Sequence, residues 1–196
     1  VVLYAGNKEA HHSYIEIAKD KGYQVLLLDS PIIPHLIQKL ESDNSGLTFV
    51  RVDSDHIDNL IKKEETAISK LSTEEQESLK TVVETIVPKQ TYTVQLEALD
   101  SSAAPFIITQ PEFMRRMKEM SQTGGGGMFG MGNFPEMYNL VVNTNSDLAT
   151  SILNNEDKTV QENLVKQALD LAKLSQNLLK GEALTAFVKR SFEMIK

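Results

Sequence analysis

The sequence predicts an α/β unit followed by an α+β unit that ends in a helical bundle. Three features predict this. Short apolar strands alternate with helices over residues 1–53, a charged helical stretch without glycine covers 54–90, and strands followed by two long amphipathic helices fill 91–196. We expect a small α/β/α sandwich, then a helical junction, then a short mixed or antiparallel sheet with helices.

Composition limits the class of protein. The chain has 196 residues, 41% hydrophobic and 24% charged, as in a globular protein of one or two domains. A net charge of −7 argues against nucleic-acid binding, and the longest apolar run, Val25–Leu28, is too short to cross a membrane. The absence of cysteine excludes disulfides and fits a reducing compartment, so we expect a cytoplasmic protein. Because the chain opens within a strand pattern at Val1, we expect it to be part of a longer protein.

The first part alternates strands and helices. Val1–Tyr4, Val25–Leu28 and Leu47–Val52 read as strands, and the continuous apolar run of the second is typical of a strand buried on both faces. Helical spacing covers Ala10–Lys21, and a short helix is predicted at His35–Leu40. This alternation with short connections predicts parallel pairing.

The rest of the chain begins with a helix start signal. Ser72 and Glu75 stand three residues apart in the pattern of a capping box, which predicts a helix that ends at Pro88. The elements predicted beyond it are strands at Thr91–Leu96, Phe106–Thr109 and Met137–Asn143, and helices at Glu112–Ser121, Asp147–Asn154, Thr159–Lys180 and Glu182–Lys196.

Motifs for chemistry are weak. The run Gly125-x-Gly127-x-x-Gly130 follows a helix instead of a strand, so we predict a flexible loop over 122–134 and no nucleotide cradle. His12 and Glu16 have metal-ligand spacing but lack a third ligand, and Asp53-Ser54-Asp55 is best explained as a helix cap. The sequence therefore predicts no catalytic residue and no metal site.

One amphipathic helix, over 111–121, has an unusual apolar face. Its apolar face carries Phe113, Met114, Met117 and Met120. The opposite, charged face carries Arg115, Arg116, Lys118 and Glu119. An apolar helical face is most often core. Methionine and phenylalanine in place of leucine and isoleucine, next to the tract Gly124–Gly127, make an exposed surface for adaptable binding the competing interpretation, and the pattern alone leaves the two open.

The two terminal helices suggest self-association. Each has an apolar face, and two such hairpins would form a four-helix bundle. The residues predicted at this dimer interface are Leu164, Ala168, Leu171, Leu174, Leu178, Leu184, Phe187, Val188 and Ile195. The alternative, which the pattern alone leaves open, is that these faces pack on the chain's own sheet.

Several segments, taken in order, resemble one family. They are Leu3–Gly6 with Tyr14, Lys21–Ile32 (KGYQVLLLDSPI), Gly46–Asp53 (GLTFVRVD), Leu99–Ile108, Tyr138–Ser146 and Leu169–Arg190. Together they are similar to the end of the middle domain and the C-terminal dimerisation domain of the ninety-kilodalton heat-shock chaperones, in the bacterial branch called high-temperature protein G. The chain departs from the family pattern at Pro34-His35, at Thr144–Ser146 and in its glycine–methionine insert.

The resemblance implies a segment of an ATP-driven, homodimeric chaperone of the stress response. ATP and Mg²⁺ would be bound by a domain upstream, so this segment would hold no cofactor and have no enzymatic activity. Its partners would be a second copy and unfolded or partly folded client proteins, with neither nucleic acid nor membrane. The implied client-binding residues are Phe113, Met114, Met117, Met120 and His35.

A different class of function stays open. Residues 1–52 could form a small α/β ligand-binding domain or enzyme. That function would need a polar cluster at the strand ends, around Ala5–Asn7 and Asp29-Ser30, although these residues look like ordinary turn chemistry.

Overall fold

The chain forms two units, and a computed structural model describes residues 1–61, 67–123 and 137–195. The first unit consists of Val1–Glu64 and Thr109–Tyr138, and the second of Glu65–Ile108 and Asn139–Lys196. The chain therefore leaves the first unit, builds part of the second, returns to complete the first, and ends in the second.

The first unit is built on a three-stranded parallel sheet in the order β2-β1-β3. Tyr4 on the central strand is in register with Leu26 on one side and Arg51 on the other. The elements are β1 (Val2–Ala5), α1 (His12–Asp20), β2 (Leu26–Leu27), α2 (Ile33–Asp43), β3 (Phe49–Arg51), α3 (Ile57–Leu60) and, after the chain returns, α5 (Glu112–Thr123). The predicted parallel pairing is confirmed, whereas the layered sandwich stays a prediction.

The prediction that Val25–Leu28 is buried on both faces is wrong. The strand is only Leu26–Leu27, and these side chains are 48% and 52% exposed. The reason is position, because β2 lies at the edge of the sheet and has one neighbour. The buried cluster instead gathers around Tyr4, Ile37 and Phe49.

The second unit has a sheet in the order β4-β6-β5. Its central strand carries Leu140, Val141 and Val142, all fully buried, so this strand is covered on both faces. Helix α4 packs on β4, α6 and α7. The elements are α4 (Thr73–Ile86), β4 (Tyr92–Glu97), β5 (Phe106–Thr109), β6 (Tyr138–Asn143), α6 (Asp147–Leu153), α7 (Lys158–Ser175) and α8 (Gly181–Met194). The capping box of Ser72 and Glu75 is confirmed.

A buried polar turn follows β6. The side-chain oxygen of Asn143 accepts hydrogen bonds from the backbone N–H groups of Leu99 (3.2 Å) and Asn145 (3.0 Å), and its amide donates to the carbonyl of Asp100 (2.8 Å). Asn145 accepts from the N–H of Lys70 (2.7 Å) and donates to the carbonyl of Leu99 (3.0 Å). Two asparagines thus satisfy the backbone groups of two irregular segments that pack beside the sheet.

The terminal hairpin differs in detail from the prediction. Helix α7 ends at Ser175 and not at Lys180. Asn177 adopts a left-handed backbone conformation (φ 56°), and the N–H of Leu178 donates back to the carbonyl of Lys173 (2.9 Å), as in a helix-terminating motif. The following helix starts at Gly181, whose φ of 59° favours glycine.

The two units divide the chain differently from the predicted domains 1–53, 54–90 and 91–196. Helix α5, which we assigned to the C-terminal domain, is grouped with the first unit. The physical reason is a set of charged contacts, described below. The predicted domain boundaries themselves stay a prediction, and the predicted loop over 122–134, with its Gly124–Gly127 tract, lies almost wholly outside the described residues.

Candidate functional site

Helix α5 carries two exposed apolar side chains, Phe113 (70% exposed) and Met117 (39% exposed), one helical turn apart. We call this pair the apolar patch. Met114 and Met120 flank it and are half-buried. The common expectation that such a face forms core is therefore wrong for Phe113 and Met117.

The buried side of α5 is charged. Arg115 is only 2% exposed, and it is the one buried side chain among residues 112–120 of this helix. The sequence assigned it to the polar face without indicating that this face turns inward. Amphipathicity is thus present as predicted, but with the arginine inside and the phenylalanine outside.

Arg115 is fully partnered. Its Nη2 donates to the hydroxyl of Tyr4 (2.7 Å) on β1, and its Nη1 donates to Glu119 (2.5 Å). It also pairs with Glu112, one turn back, and lies 5.7 Å from the centre of the Tyr4 ring. Burial alone would lower the pKa of Arg115, but Glu112 and its other partners raise it above the usual value, so the charge is retained.

Arg116 joins α5 to the end of α2. Its Nη1 donates to Glu41 (2.7 Å), its Nε to Glu112 (2.6 Å), and its Nη2 to the carbonyl of Phe49. Glu41 in turn accepts from the N–H of Phe49 (2.7 Å). The hydrogen bond from Arg116 holds the pKa of Glu41 below its usual value, so this ion pair stays charged at neutral pH.

Arg51, at the end of β3, completes the charged contacts. It donates to both carboxylate oxygens of Asp53 (2.5 and 2.8 Å) and to Glu119 (2.8 Å). Burial would raise the pKa of Asp53, but the hydrogen bonds and charge of Arg51 outweigh it and the pKa is lowered. Besides the bond from Arg116 to the Phe49 carbonyl, three side-chain pairs cross from α5 to the sheet and α2: Arg115–Tyr4, Arg116–Glu41 and Glu119–Arg51. We call them the arginine clamp.

A cleft of about 370 Å³ lies beside the clamp, at the carboxyl ends of the parallel strands. In parallel sheets with this strand order, ligands bind outside the carboxyl ends of the strands at the point where the strand order reverses, which here lies between β1 and β3. The lining residues that bear on this point are Gly6, Asn7, His11, Ser30, Arg51 and Arg115. Because Asp53 and Glu119 already pair with the arginines, the cleft offers a phosphate group little uncompensated positive charge.

His11 lies at the wall of this cleft. Its side chain is 12% exposed, its Nε2 lies 3.7 Å from a carboxylate oxygen of Asp53, and its Nδ1 is buried without a hydrogen-bond partner among the described residues. Burial lowers its pKa, against the attraction of Asp53. In the neighbouring pair His12 and Glu16, Glu16 pairs with Lys19 (3.0 Å). The described parts of the chain hold no group of three His, Asp or Glu side chains placed to bind a metal ion.

Similar proteins now give the family. The chain is 41% identical over 177 residues to the chaperone protein HtpG of Porphyromonas gingivalis. This alignment covers 89% of the chain and 26% of that protein. It is 34% identical over 262 residues to HtpG of Bacteroides thetaiotaomicron, and that alignment covers all of the chain and 38% of the Bacteroides protein. The chain belongs to the HtpG branch of the ninety-kilodalton heat-shock protein family.

The chain thus spans between about a quarter and two fifths of the length of these HtpG relatives. The alignment with the Bacteroides protein has more positions than the chain has residues, so that HtpG carries residues within the matched span that this chain lacks. No protein-family model matches the chain. Across residues 1–61, 67–123 and 137–195, every helix is too short or too polar to cross a lipid bilayer.

The residues that the HtpG resemblance assigned to clients lie on two neighbouring helices. Phe113, Met114, Met117 and Met120 are on α5, and His35 is exposed on α2, which packs against α5. No local sequence pattern indicates the roles of Tyr4, Arg51 and Glu41, because each contacts α5 from a distant part of the chain. Their role in holding α5 was therefore missed.

The predicted dimer residues fall into three groups by exposure. Leu171, Leu174, Val188 and Ile195 are exposed; Leu164, Leu178 and Leu184 are half-buried; Ala168 and Phe187 are buried within the chain. Phe192, which is 65% exposed and lies one turn after Val188, is missing from the prediction. The exposed members form a stripe on each terminal helix, while Phe187 belongs to the chain's own core.

The buried histidine predicts a pH dependence. Since burial lowers the pKa of His11, the unfolded chain binds the proton more strongly, and the free energy of unfolding should fall as the pH drops below about 6.5. His11→Gln should flatten this slope by up to about 1.4 kcal/mol per pH unit, the contribution of one proton. Urea unfolding followed between about pH 5.5 and 7.5 measures it.

His12→Gln is the matched control, because His12 is exposed at the adjacent position. A His11→Gln profile that superimposes on that of the unchanged chain would contradict the prediction.

Proposed function

We propose that this chain is the client-contacting and dimerising segment of an ATP-driven HtpG chaperone. The observation that carries the proposal is the apolar patch on a helix whose arginine is buried. Exposing Phe113 and Met117 forgoes the free energy of their burial, which a helix with the opposite orientation would gain. A cost of this kind points to a surface kept for binding.

The chemistry of the patch suits an unfolded protein as partner. Methionine is unbranched and pliable, so it adapts to apolar side chains of different shapes, and phenylalanine offers a large contact area. The half-buried Met114 and Met120 extend the same surface. Contacts of this type discriminate little between sequences, as binding of many partly folded clients requires.

Replacement of the patch should weaken client binding. Phe113→Ser with Met117→Ser should raise the dissociation constant for a permanently unfolded protein, such as reduced and carboxymethylated α-lactalbumin, at least about tenfold. Two buried apolar side chains contribute more than the 1.4 kcal/mol that corresponds to that factor. Fluorescence anisotropy of the labelled client measures the constant.

The matched control is Ile17→Ser with Val160→Ser, which removes two partly exposed apolar side chains from α1 and α7. It should leave client affinity unchanged. The client proposal fails if the patch variant binds as tightly as the control, or if it loses several kcal/mol of unfolding free energy, as a core deletion would.

We also propose that the terminal hairpin pairs with that of a second copy. Two exposed apolar stripes have helical spacing. One is formed by Leu171 and Leu174 on α7, the other by Val188 and Phe192 on α8 with Ile195 directly after its end. The opposite face of α7 already packs within the chain through Val165, Ala168, Leu169 and Ala172. Two hairpins that bury these stripes against each other would form a four-helix bundle.

Charge on the stripes should separate the copies. The unchanged chain should scatter light as a particle of about twice 21.9 kDa, whereas Leu171→Asp with Phe192→Asp should give a monomer that remains folded, because both side chains are exposed in the single chain. Ala183→Asp with Ala186→Asp adds equal charge to exposed positions on the other side of α8 and should stay dimeric.

A monomer for the unchanged chain at micromolar concentration would reject the bundle. Phe187→Asp is unsuitable for this test, because Phe187 is buried within the chain and its replacement would unfold the hairpin.

We further propose that this segment holds no nucleotide and has no ATPase activity of its own. The support is the charge balance of the cleft, in which carboxylates already occupy the arginines. The cleft is also the feature that favours the alternative, a small α/β ligand-binding domain.

Thermal denaturation discriminates the two. About 1 mM ATP with Mg²⁺ should not raise the melting temperature beyond the change with Mg²⁺ alone, because only a ligand that binds the folded chain stabilises it. A reproducible rise that disappears in Arg51→Ala would favour the alternative.

A further inference from the structure

We propose that Arg115, Arg116 and Glu119 are positioning residues that hold α5 with its apolar patch outward, and that the clamp thereby sets the affinity for client. This proposal rests on the proposed client binding. It assigns to a set of ion pairs the task of keeping an apolar surface available.

The first argument is the rotation of the helix. The clamp residues of α5 occupy positions 115, 116 and 119, within about one turn, and they contact β1, α2 and β3 respectively. Three anchors on different elements fix the rotation of α5 about its axis. With that rotation fixed, positions 113 and 117 point away from the sheet.

The second argument is what would happen without the clamp. The hydrophobic effect favours turning Phe113 and Met117 towards the protein and releasing the charged side into water. The clamp opposes this tendency. Loss of one contact should therefore let α5 rotate or detach, and the patch should become less available although its residues are unchanged.

The third argument concerns salt. Arg116 and Glu41 are each 22% exposed and Glu119 is 31% exposed, so these pairs are screened by dissolved ions, unlike the buried Arg115–Tyr4 contact. Apolar contact with a client is not weakened in this way. A client affinity that falls as salt rises would therefore report on the clamp.

The test separates the clamp from client binding itself. Glu41→Ala, Arg116→Ala and the double variant are compared with Lys80→Ala, which removes the same positive charge as Arg116→Ala but from an exposed pair on α4. Two quantities are measured on the 196-residue chain: hydrogen exchange of the α5 backbone, and the dissociation constant for reduced, carboxymethylated α-lactalbumin.

We expect both single clamp variants to exchange faster in α5 and to bind the client about threefold to tenfold more weakly, with no change in Lys80→Ala. The double variant should be little worse than either single one, since both remove the same pair. Between about 50 and 500 mM NaCl, the unchanged chain should lose more client affinity than the double variant.

Two results would overturn the proposal. Unchanged exchange in α5 means that the pair does not hold the helix, and faster exchange with unchanged client affinity means that the pair is structural and does not position the patch. If the unchanged chain binds no client, the proposed function fails and the positioning role fails with it. The exchange measurement then still decides whether the clamp holds α5.

Discussion

The burial of one guanidinium group governs the first unit. Arg115 is almost inaccessible, and a buried charge without partners costs several kcal/mol. Glu112 and Glu119 on α5 itself and Tyr4 on β1 offset that cost, and the bond to Tyr4 forms only while α5 lies against β1. The position of the helix, the shape of the neighbouring cleft and the exposure of Phe113 therefore all follow from satisfying this one group.

The second unit depends on apolar packing and neutral hydrogen bonds instead of buried charge. Its central strand is buried on both faces by apolar packing, and the turn after it is satisfied by Asn143 and Asn145 without any net charge. The terminal helices of this unit carry apolar residues of two kinds, some buried within the chain and some exposed. Phe187 is buried within the single chain, whereas Phe192 is exposed to solvent. The same hairpin therefore contributes to the chain's own core and carries an exposed apolar stripe.

Local signals in the sequence predicted local structure well. The capping box of Ser72 is confirmed because all its partners lie within three residues, and the parallel pairing is confirmed because alternation of strands and helices leaves few other solutions. Which side of α5 faces the sheet could not be predicted, because Arg115 is hydrogen-bonded to Tyr4, which lies 111 residues away in the sequence. The prediction that Val25–Leu28 is buried was wrong for a related reason, because an apolar run does not reveal whether its strand lies at a sheet edge.

An apolar surface that is proposed to bind unfolded proteins faces a physical difficulty, and the charged contacts of α5 bear on it. An apolar patch strong enough to bind clients is also strong enough to bind its own protein, and methionine-rich faces pack against almost any apolar surface. Opposing this collapse with further apolar contacts would only enlarge the surface that competes. Ion pairs with fixed geometry do not compete for the same contacts, because a guanidinium that is satisfied at Tyr4 and Glu119 gains nothing from an apolar environment elsewhere. A buried arginine with an exposed phenylalanine is thus consistent with the proposed role, in which the surface would have to remain unoccupied until a client arrives.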